Sequence, residues 1–286
     1  MNASRLNLKP FKMDTPFVGL IYRFHRKMYF SAILTIKLSI ATFSIKGMTS
    51  GTAFMSEQAF SWEIIDFPII DTNDNDYYIT QDFLMGKFDY KAHKRFTKVP
   101  KEISSKEMYL QLETLNAFQK MRIAAKAEGI SFIILSGTRN FNEQKKIWEN
   151  KWQKYHPQYK DAQKTSKKIL EYSSMPSTSR HHWGTDIDLN ALNNEYFSTG
   201  KGKKEFEWLI KNAATFGFHQ TYDSKVNGRT GYSEEKWHWS YLPLAEKYLT
   251  LYNTLIKNED ISGFSGCESA KQIDIIKNYV NGIAVR

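Results

Sequence analysis

Apolar residues recur at helical spacing in the stretch that follows Ser104 and Ser105. They run from Tyr109 to Ala125, and Gly129 stands just past the last of them. This is the spacing of the buried face of a helix, and a glycine directly after such a face is a common helix end. The pattern predicts a helix that begins at Ser104 or Ser105 and ends before Gly129.

Three short segments carry the pattern of strands. Ser131–Ser136 is a mostly apolar run followed by glycine, which is typical of a buried strand. Between Thr185 and Leu189 apolar and acidic residues alternate, so that Asp186 and Asp188 share one face of a strand. Residues 236–241 are also strand-like.

Further helices follow from local signals. Asn142 is the predicted N-cap of a helix that carries Trp148, and helices are expected near 161–171, 203–215, 242–256 and 269–280. Residues 60–100 are short apolar pieces separated by Asp, Asn and Lys, which predicts loops and turns. Because helices and strands mix without a regular strand–helix–strand repeat, we predict an α+β fold: a single domain with a small central antiparallel sheet and flanking helices.

The composition excludes little. The hydrophobic fraction of 41% and the charged fraction of 24% are ordinary for a globular protein. Eight Lys or Arg and two acidic residues lie in residues 1–60, so most of the formal net charge of +10 belongs to that segment. The remainder is only mildly basic, and no nucleic-acid partner and no stable protein partner are expected.

The amino-terminal segment has the order of a secretory signal. Arg23, Arg26 and Lys27 precede an apolar and hydroxyl-rich run at 28–45, and small residues follow at 51–53. Lys37 interrupts the run, which makes a stable membrane span less favoured. We predict a signal peptide or membrane-anchor region at 1–55, one domain at 56–286, and an exported protein of the periplasm or cell envelope. An anchor retained through 28–45 and a disordered cytoplasmic extension are the alternatives.

Two segments concentrate metal-binding residue types. Four of the seven histidines lie between residues 181 and 238, and Cys267 is the single cysteine, so a metal would be held by His and carboxylate. A catalytic zinc takes three protein ligands and keeps a position for water, whose pKa it lowers to about 7. Glu235 stands three residues before His238, so one short segment offers a ligand and a general base.

The ordered motifs resemble those of the LAS-type zinc peptidases, which include VanY-like D-Ala-D-Ala carboxypeptidases and dipeptidases. Residues 179–188 match the signature S-x-H-x-x-G-x-x-x-D, and residues 235–238 match E-x-W-H. Upstream, residues 136–139 resemble the S-G-x-R segment of that family. Three motifs in the family order, spread over about a hundred residues, are far more specific than any one of them.

The resemblance implies a role for each matched residue. His181, Asp188 and His238 would bind one Zn²⁺, and Glu235 would act as general base and later as general acid. Arg139 would lie beside the scissile carbonyl or hold a substrate carboxylate, and Ser179 would hydrogen-bond the end of the substrate. Gly184, the glycine of the signature, would permit a tight turn between two of the ligands.

One residue departs from the family pattern. The family usually has a small residue two positions before the aspartate ligand, whereas this chain has Asp186. Because Asp186 and Asp188 share a strand face, Asp186 is expected to reach toward the metal site or to orient a ligand imidazole.

Structural roles remain the alternatives for individual residues. His181 and His238 would be satisfied core histidines if no metal bound, and Arg139 would simply pair with Glu143.

His182 is expected at the surface or behind a ligand, and His219 within the packing. Arg229 and Tyr232 lie just before the second motif and are candidates for substrate contact. The three tryptophans at 183, 237 and 239 are expected as cleft walls and core.

The resemblance implies a hydrolase of peptidoglycan stem peptides, cutting near a free carboxyl terminus as in D-Ala-D-Ala. Two alternatives stay open. One is a D-Ala-D-Ala dipeptidase or an L,D-endopeptidase of the same family, and the other is a zinc-bearing binding module without catalysis. The intact Glu235 and Arg139 argue against the second.

Overall fold

The computed structural model describes residues 76–284, and its strands form two antiparallel sheets. Strands β3, β4, β6 and β5 lie side by side in that order in a four-stranded sheet, and β1 pairs with β2. The strands of the described residues are β1 (Phe96–Lys98), β2 (Tyr109–Gln111), β3 (Ile134–Ser136), β4 (Asp186–Leu189), β5 (Phe218–Gln220) and β6 (His238–Tyr241). The predicted α+β fold with a small central antiparallel sheet is confirmed.

The four-stranded sheet separates a packed face from a polar one. In β4, Ile187 and Leu189 are fully buried in a core cluster that also contains Trp239 of β6. Alternate residues of a strand point to opposite faces, so Asp186 and Asp188 lie on the other side. The register pairs Asp188 with His238 across the two central strands, which places both on the polar face.

The first long helix begins later than the periodicity predicts. Tyr109–Gln111 is strand β2, and the helix starts at Leu112 instead of Ser104 or Ser105. The carbonyl of Tyr109 accepts a hydrogen bond from the Thr138 amide, and the Gln111 amide donates to Gly184. These backbone groups are therefore hydrogen-bonded to residues that are distant in the chain. The tertiary contacts favour a strand here, although the local spacing of apolar residues fits a helix equally well.

Seven α-helices of the described residues surround the sheets. They are α1 (Gln81–Leu84), α2 (Leu112–Ala127), α3 (Phe141–Tyr159), α4 (Ala162–Ile169), α5 (Gly200–Asn212), α6 (Leu242–Leu255) and α7 (Ser269–Ile273). The predicted helices near 161–171, 203–215 and 242–256 match α4, α5 and α6. The predicted helix at 269–280 is interrupted, because Asp274 adopts a left-handed conformation and a separate π-turn follows at Ile276–Val280.

Helix α3 begins at a different cap from the predicted one. Asn140, not Asn142, is the N-cap: its side chain accepts a hydrogen bond from the Glu143 amide, and the Glu143 carboxylate accepts one from the Asn140 amide. Asn142 lies inside the first turn and is exposed. The reciprocal pair with Glu143 selects Asn140, because only that residue has the glutamate at the third helical position.

A second core cluster lies among the helices. Trp148 of α3 and Tyr248 of α6 are fully buried in it, as is Trp183, whose indole donates to the Leu84 carbonyl. Tyr252 donates to the Ser177 carbonyl, which ties α6 to the segment that leads into the turn at 180–183. These contacts fix the backbone on which His181 stands.

The predictions for the signal or anchor region at 1–55, for the apolar run at 28–45 and for a domain boundary at 56 lie outside the described residues. Residues 76–100, for which loops were predicted, also contain α1 and β1. Within residues 76–284 no helix is long and apolar enough to cross a bilayer.

The two asparagines at the start of α3 provide a test of the cap. We expect Asn140→Ala to lower the free energy of unfolding by about 1 kcal/mol, because it removes one side of the capping box. Asn142→Ala, two residues away, should change it by no more than a few tenths of that amount. Denaturant unfolding of both variants measures the difference, and an equal loss in the two would argue against the Asn140 cap.

Candidate metal centre and active site

Two neighbouring strands and a short turn bring together three metal-binding side chains. Asp188 is in β4, His238 opens β6 directly opposite it, and His181 lies on the 3₁₀ turn Arg180–Trp183 just before β4. One ligand atom of each residue lies within 4.8 Å of the other two, and all three residues are buried. The arrangement can hold one metal ion.

The two imidazoles are oriented by bonds on their outer nitrogens. His181 Nδ1 lies 2.8 Å from the Gly137 carbonyl, so its Nε2 faces Asp188 Oδ2 at 3.4 Å. His238 Nε2 lies 3.0 Å from Asp186 Oδ1, so its Nδ1 faces Asp188 Oδ1 at 3.1 Å. One inward nitrogen from each ring and one carboxylate form a donor set that suits zinc, and the outer bonds fix the rings as in known zinc sites.

Gly184 closes the turn between the ligands in the conformation that the motif predicts. Its φ of +70° lies in the left-handed region, and a Cβ there would collide with the Phe96 ring. The Gly184 carbonyl also accepts a hydrogen bond from the Gln111 amide. Only glycine allows this turn to pack so tightly against the two-stranded sheet.

Asp186 stands behind His238 and away from the ring of donors. It is fully buried, and its two oxygens are bonded to Arg180, His238, Thr185 and Ser240. Burial opposes its ionisation, but Arg180 and His238 outweigh this and hold the pKa of Asp186 below its usual value. The expected orienting contact with a ligand imidazole is present.

The Glu235 carboxyl lies next to the three donors. Its Oε2 is 3.8 Å from His238 Nδ1, and its amide is held by the Tyr222 carbonyl at 2.8 Å. Burial, together with the charge of Asp188, raises the pKa of Glu235 to about 8 against the opposing charges of His238, Arg139 and Lys151. A carboxyl group with a pKa near neutrality can both accept and return a proton.

Arg139 reaches the same site from the loop after β3. Its Nε donates to Gln144 Oε1 at 2.9 Å, and its Nη1 donates to Ser136 and lies 3.8 Å from Asp188 Oδ2. The alternative partner Glu143 is occupied by Tyr90 and by the amide of Asn140. Arg139 is therefore directed at the metal-binding cluster.

Ser179 lines the cavity with an unsatisfied hydroxyl. Its Oγ is buried and has no hydrogen-bond partner in the described protein, and the residue is 1% exposed. A buried hydroxyl without a partner costs about 1–3 kcal/mol unless a ligand or water satisfies it. Ser179 thus offers a free donor and acceptor to a bound molecule.

These residues surround a cavity of about 470 Å³. Its walls include side chains that the motifs do not mark, namely Gln144, Ile147, Lys151, Tyr172, Ser173, Ser174, Arg180, Leu192, Asn193, Asn194 and Tyr222. The three from α3 recur at positions 144, 147 and 151, which lie on one helix face, and this spacing was the signal available in the sequence. The loop residues carried no such signal.

Three other residues singled out in the sequence do not line the cavity. His182 is fully buried rather than at the surface: its Nδ1 lies 2.7 Å from the Arg139 carbonyl, its Nε2 accepts from the Ser177 amide, and burial lowers its pKa to about 3. His219 lies in β5. Arg229 is bonded to Asp223 and to neighbouring carbonyls and is absent from the cavity wall.

The aromatic residues divide between cavity and core. Tyr232 and Trp237 line the cavity, as expected of a substrate candidate and of a cleft wall. Trp183 and Trp239 belong to the two core clusters.

Part of the chain is similar to known proteins. Residues 107–244 match the family model VanY, D-alanyl-D-alanine carboxypeptidase. A D-alanyl-D-alanine carboxypeptidase of Enterococcus faecalis is 31% identical over 119 residues, 42% of this chain and 43% of that protein. The chain thus spans less than half the length of that relative.

Two solved structures are also similar. A zinc-bound mutant of the vancomycin resistance D,D-pentapeptidase VanY is 22% identical, with a TM-score of 0.44 over 64% of this chain and 92% of that one. The LD-carboxypeptidase LdcB is 23% identical, with a TM-score of 0.45 over 65% and 80%.

The raised pKa of Glu235 predicts a pH dependence of stability. With the metal removed, the unfolded chain releases this proton near the ordinary value of 4.5, whereas the folded protein keeps it until about pH 8. The contribution of Glu235 to stability therefore falls as pH rises, by ~1 kcal/mol per pH unit between about pH 5 and 6.5, and Glu235→Gln should lack this contribution. Buried His182, whose pKa is lowered to about 3, contributes in the opposite direction in both proteins, so the prediction concerns the difference between their two pH profiles.

Thermal unfolding of the chelator-treated wild type and Glu235→Gln across that range is the measurement. Parallel pH profiles for the two proteins would contradict the raised pKa.

Proposed function

Residues 107–244 of this chain match the family model VanY, D-alanyl-D-alanine carboxypeptidase, and from this match we propose that the protein is a VanY-like zinc peptidase. In this proposal it hydrolyses the peptide bond before the last residue of peptidoglycan stem peptides ending in D-Ala-D-Ala. The observation that carries the proposal is the buried Glu235 carboxyl, 3.8 Å from the inward nitrogen of His238 at a three-donor cluster. A binding site alone has no use for a base at that point.

Each side chain has a role in the proposed reaction. When bound, zinc supplies a Lewis acid that polarises the scissile carbonyl and acidifies water. Glu235 takes the proton from the attacking water and later delivers it to the leaving amine, which suits a pKa near neutrality. Arg139 stabilises negative charge that develops on the carbonyl oxygen. Ser179 offers its buried, unpartnered hydroxyl to the end of the substrate.

The export that the sequence predicts is consistent with the same substrate. Stem peptides lie outside the cytoplasmic membrane, and the basic and then apolar order of residues 23–45 is the order of a secretory signal. We propose an exported enzyme of the cell envelope, either released or held by the segment 28–45.

The Glu235→Ala variant separates catalysis from metal binding. We expect it to retain stoichiometric zinc and to lose at least ~100-fold in kcat, because it removes a base and not a ligand. Asp188→Ala should fail to retain zinc after dialysis. The measurements are elemental analysis and D-Ala release from a pentapeptide ending in D-Ala-D-Ala.

The neighbouring Glu234→Ala is the matched control and should keep zinc and activity. Release from the pentapeptide supports the carboxypeptidase, whereas cleavage restricted to free D-Ala-D-Ala, or to a cross-linked peptide, favours the dipeptidase or the L,D-endopeptidase. Zinc without cleavage of any of these supports the binding module. A Glu235→Ala protein without zinc would contradict the division of roles.

Lys151 adds positive charge to the cavity wall. Its ammonium donates to Ser173, no carboxylate of the described residues forms an ion pair with it, and burial lowers its pKa. The charge suits the free carboxylate of a carboxypeptidase substrate. We expect Lys151→Gln to raise KM by about 10-fold with little change in kcat, because a charge-assisted hydrogen bond is lost.

The exposed Lys154→Gln, one helical turn away, is the control and should leave KM unchanged. A substrate with an amidated carboxyl terminus should show no difference between wild type and Lys151→Gln. An equal effect on both substrates would assign Lys151 a role other than binding the carboxylate.

A further inference from the structure

Two charged residues are buried beside the metal-binding cluster without belonging to it. Asp186 is 0% exposed and Arg180 is 2% exposed. We infer that Arg180 and Asp186 form a positioning pair, which holds His238 by its outer nitrogen and thereby sets the affinity of the site for zinc. The inference rests on the proposed function only in taking zinc as the metal, and it concerns binding, not turnover.

Asp186 is saturated by protein partners. Oδ1 accepts from Arg180 Nε at 3.1 Å and from His238 Nε2 at 3.0 Å. Oδ2 accepts from Thr185 Oγ1 at 2.6 Å and from Ser240 Oγ at 3.1 Å. An ionised carboxylate has about four such positions, so none is left for a metal.

Asp188 shows the opposite arrangement two residues later. The side-chain partners of its oxygens are the inward nitrogens of His181 and His238, with Arg139 farther away at 3.8 Å. The two aspartates share a strand face and have different roles, because Asp188 offers its lone pairs to the cluster, whereas Asp186 uses its own to hold the ring of His238.

Arg180 holds Asp186 in place and compensates its charge. Besides the bond to Asp186, its Nη2 donates to Ser240 Oγ at 2.7 Å, and its guanidinium lies 5.0 Å from the centre of the Trp183 ring. Ser240 thereby joins both partners. Such a fully buried pair brings little net stability, since desolvation offsets the attraction, and apolar residues of similar volume often replace it without loss. Because Asp186 contacts the outer nitrogen of His238, the pair can orient that imidazole in addition to any effect on stability.

The pair acts by selecting one orientation and one tautomer of the ring. With Nε2–H donating to Asp186, the Nδ1 lone pair is directed toward Asp188 and a bound metal. The carboxylate also makes the imidazole a stronger donor. Without it, the ring is free to turn and to present the wrong nitrogen, and zinc binding must then supply the free energy of ordering it.

The pair also accounts for the departure from the family signature. A small residue at position 186 needs no counter-charge, whereas Asp186 requires a buried cation, and Arg180 is six residues earlier on the turn that carries His181. Replacing Asp186 alone leaves the Arg180 guanidinium buried without a counter-charge. Both residues must therefore be changed together to remove the buried charges.

The test is the zinc dissociation constant, measured by competition with a chromophoric chelator on full-length protein. We expect Asp186→Asn to weaken binding about 10-fold, since it keeps an acceptor and loses the charge. Asp186→Ala, and Asp186→Ala with Arg180→Leu, should weaken it toward 100-fold. The double variant should unfold at a higher temperature than Asp186→Ala, because it no longer buries an uncompensated guanidinium.

Asp223→Asn is the matched control. Asp223 also pairs with an arginine, Arg229, at 3.0 Å, but its side chain is 35% exposed and it is not part of the cluster, so its loss should change stability and leave zinc affinity unaltered. The NMR signal of His238 Nε2–H gives a second readout: it should persist with zinc bound in wild type and disappear in the double variant.

The outcomes separate the two proposals. A wild type that binds no zinc contradicts the proposed function. A wild type that binds zinc, with Asp186→Asn and the double variant within threefold of it, overturns the positioning pair alone. An equal loss of affinity in Asp223→Asn overturns it too, because the effect would then come from general destabilisation.

Discussion

The cross-strand pairing of Asp188 with His238 is the constraint on which the site depends. It places a carboxylate and an imidazole side by side on one face of the sheet, while Ile187 and Trp239, paired next to them, enter the core on the other. Because side chains alternate along a strand, a slip of one residue would exchange these faces. The buried apolar residues therefore hold the metal-binding residues in register.

Burial then determines the chemistry of the polar face. In a region of low dielectric every charge requires a partner. Asp186 has Arg180 and His238, while Asp188 has the two ligand imidazoles and Arg139, and the pKa of each carboxyl stays below its usual value. Glu235 has weaker compensation, so burial raises its pKa to about 8. One environment thus keeps two carboxylates ionised and makes a third able to exchange protons near neutrality.

Much of the fold and of the candidate site followed from local pattern. The helices α4, α5 and α6, the strands around Asp188 and His238, and the turn at Gly184 all lie where the sequence indicates, because each depends on spacing or on one backbone conformation. Several boundaries were wrong, among them two that show why. Residues 109–111 fit a helix face but pair as a strand with residues 96–98, and Asn142 resembles a cap, yet Asn140 has the reciprocal partner.

The sequence by itself determined the residue types and the order of the motifs, and the family resemblance of those motifs implied the ligand set and Glu235 as the base. The structure brings these residues together because they are close in the chain or adjacent across two strands. Only the tertiary structure decided that Gln144 and Lys151 line the same cavity, that His182 is buried behind Arg139, and that Asp186 faces the outer nitrogen of His238. These relations join segments that are distant in the chain, and no local spacing records how such segments pack.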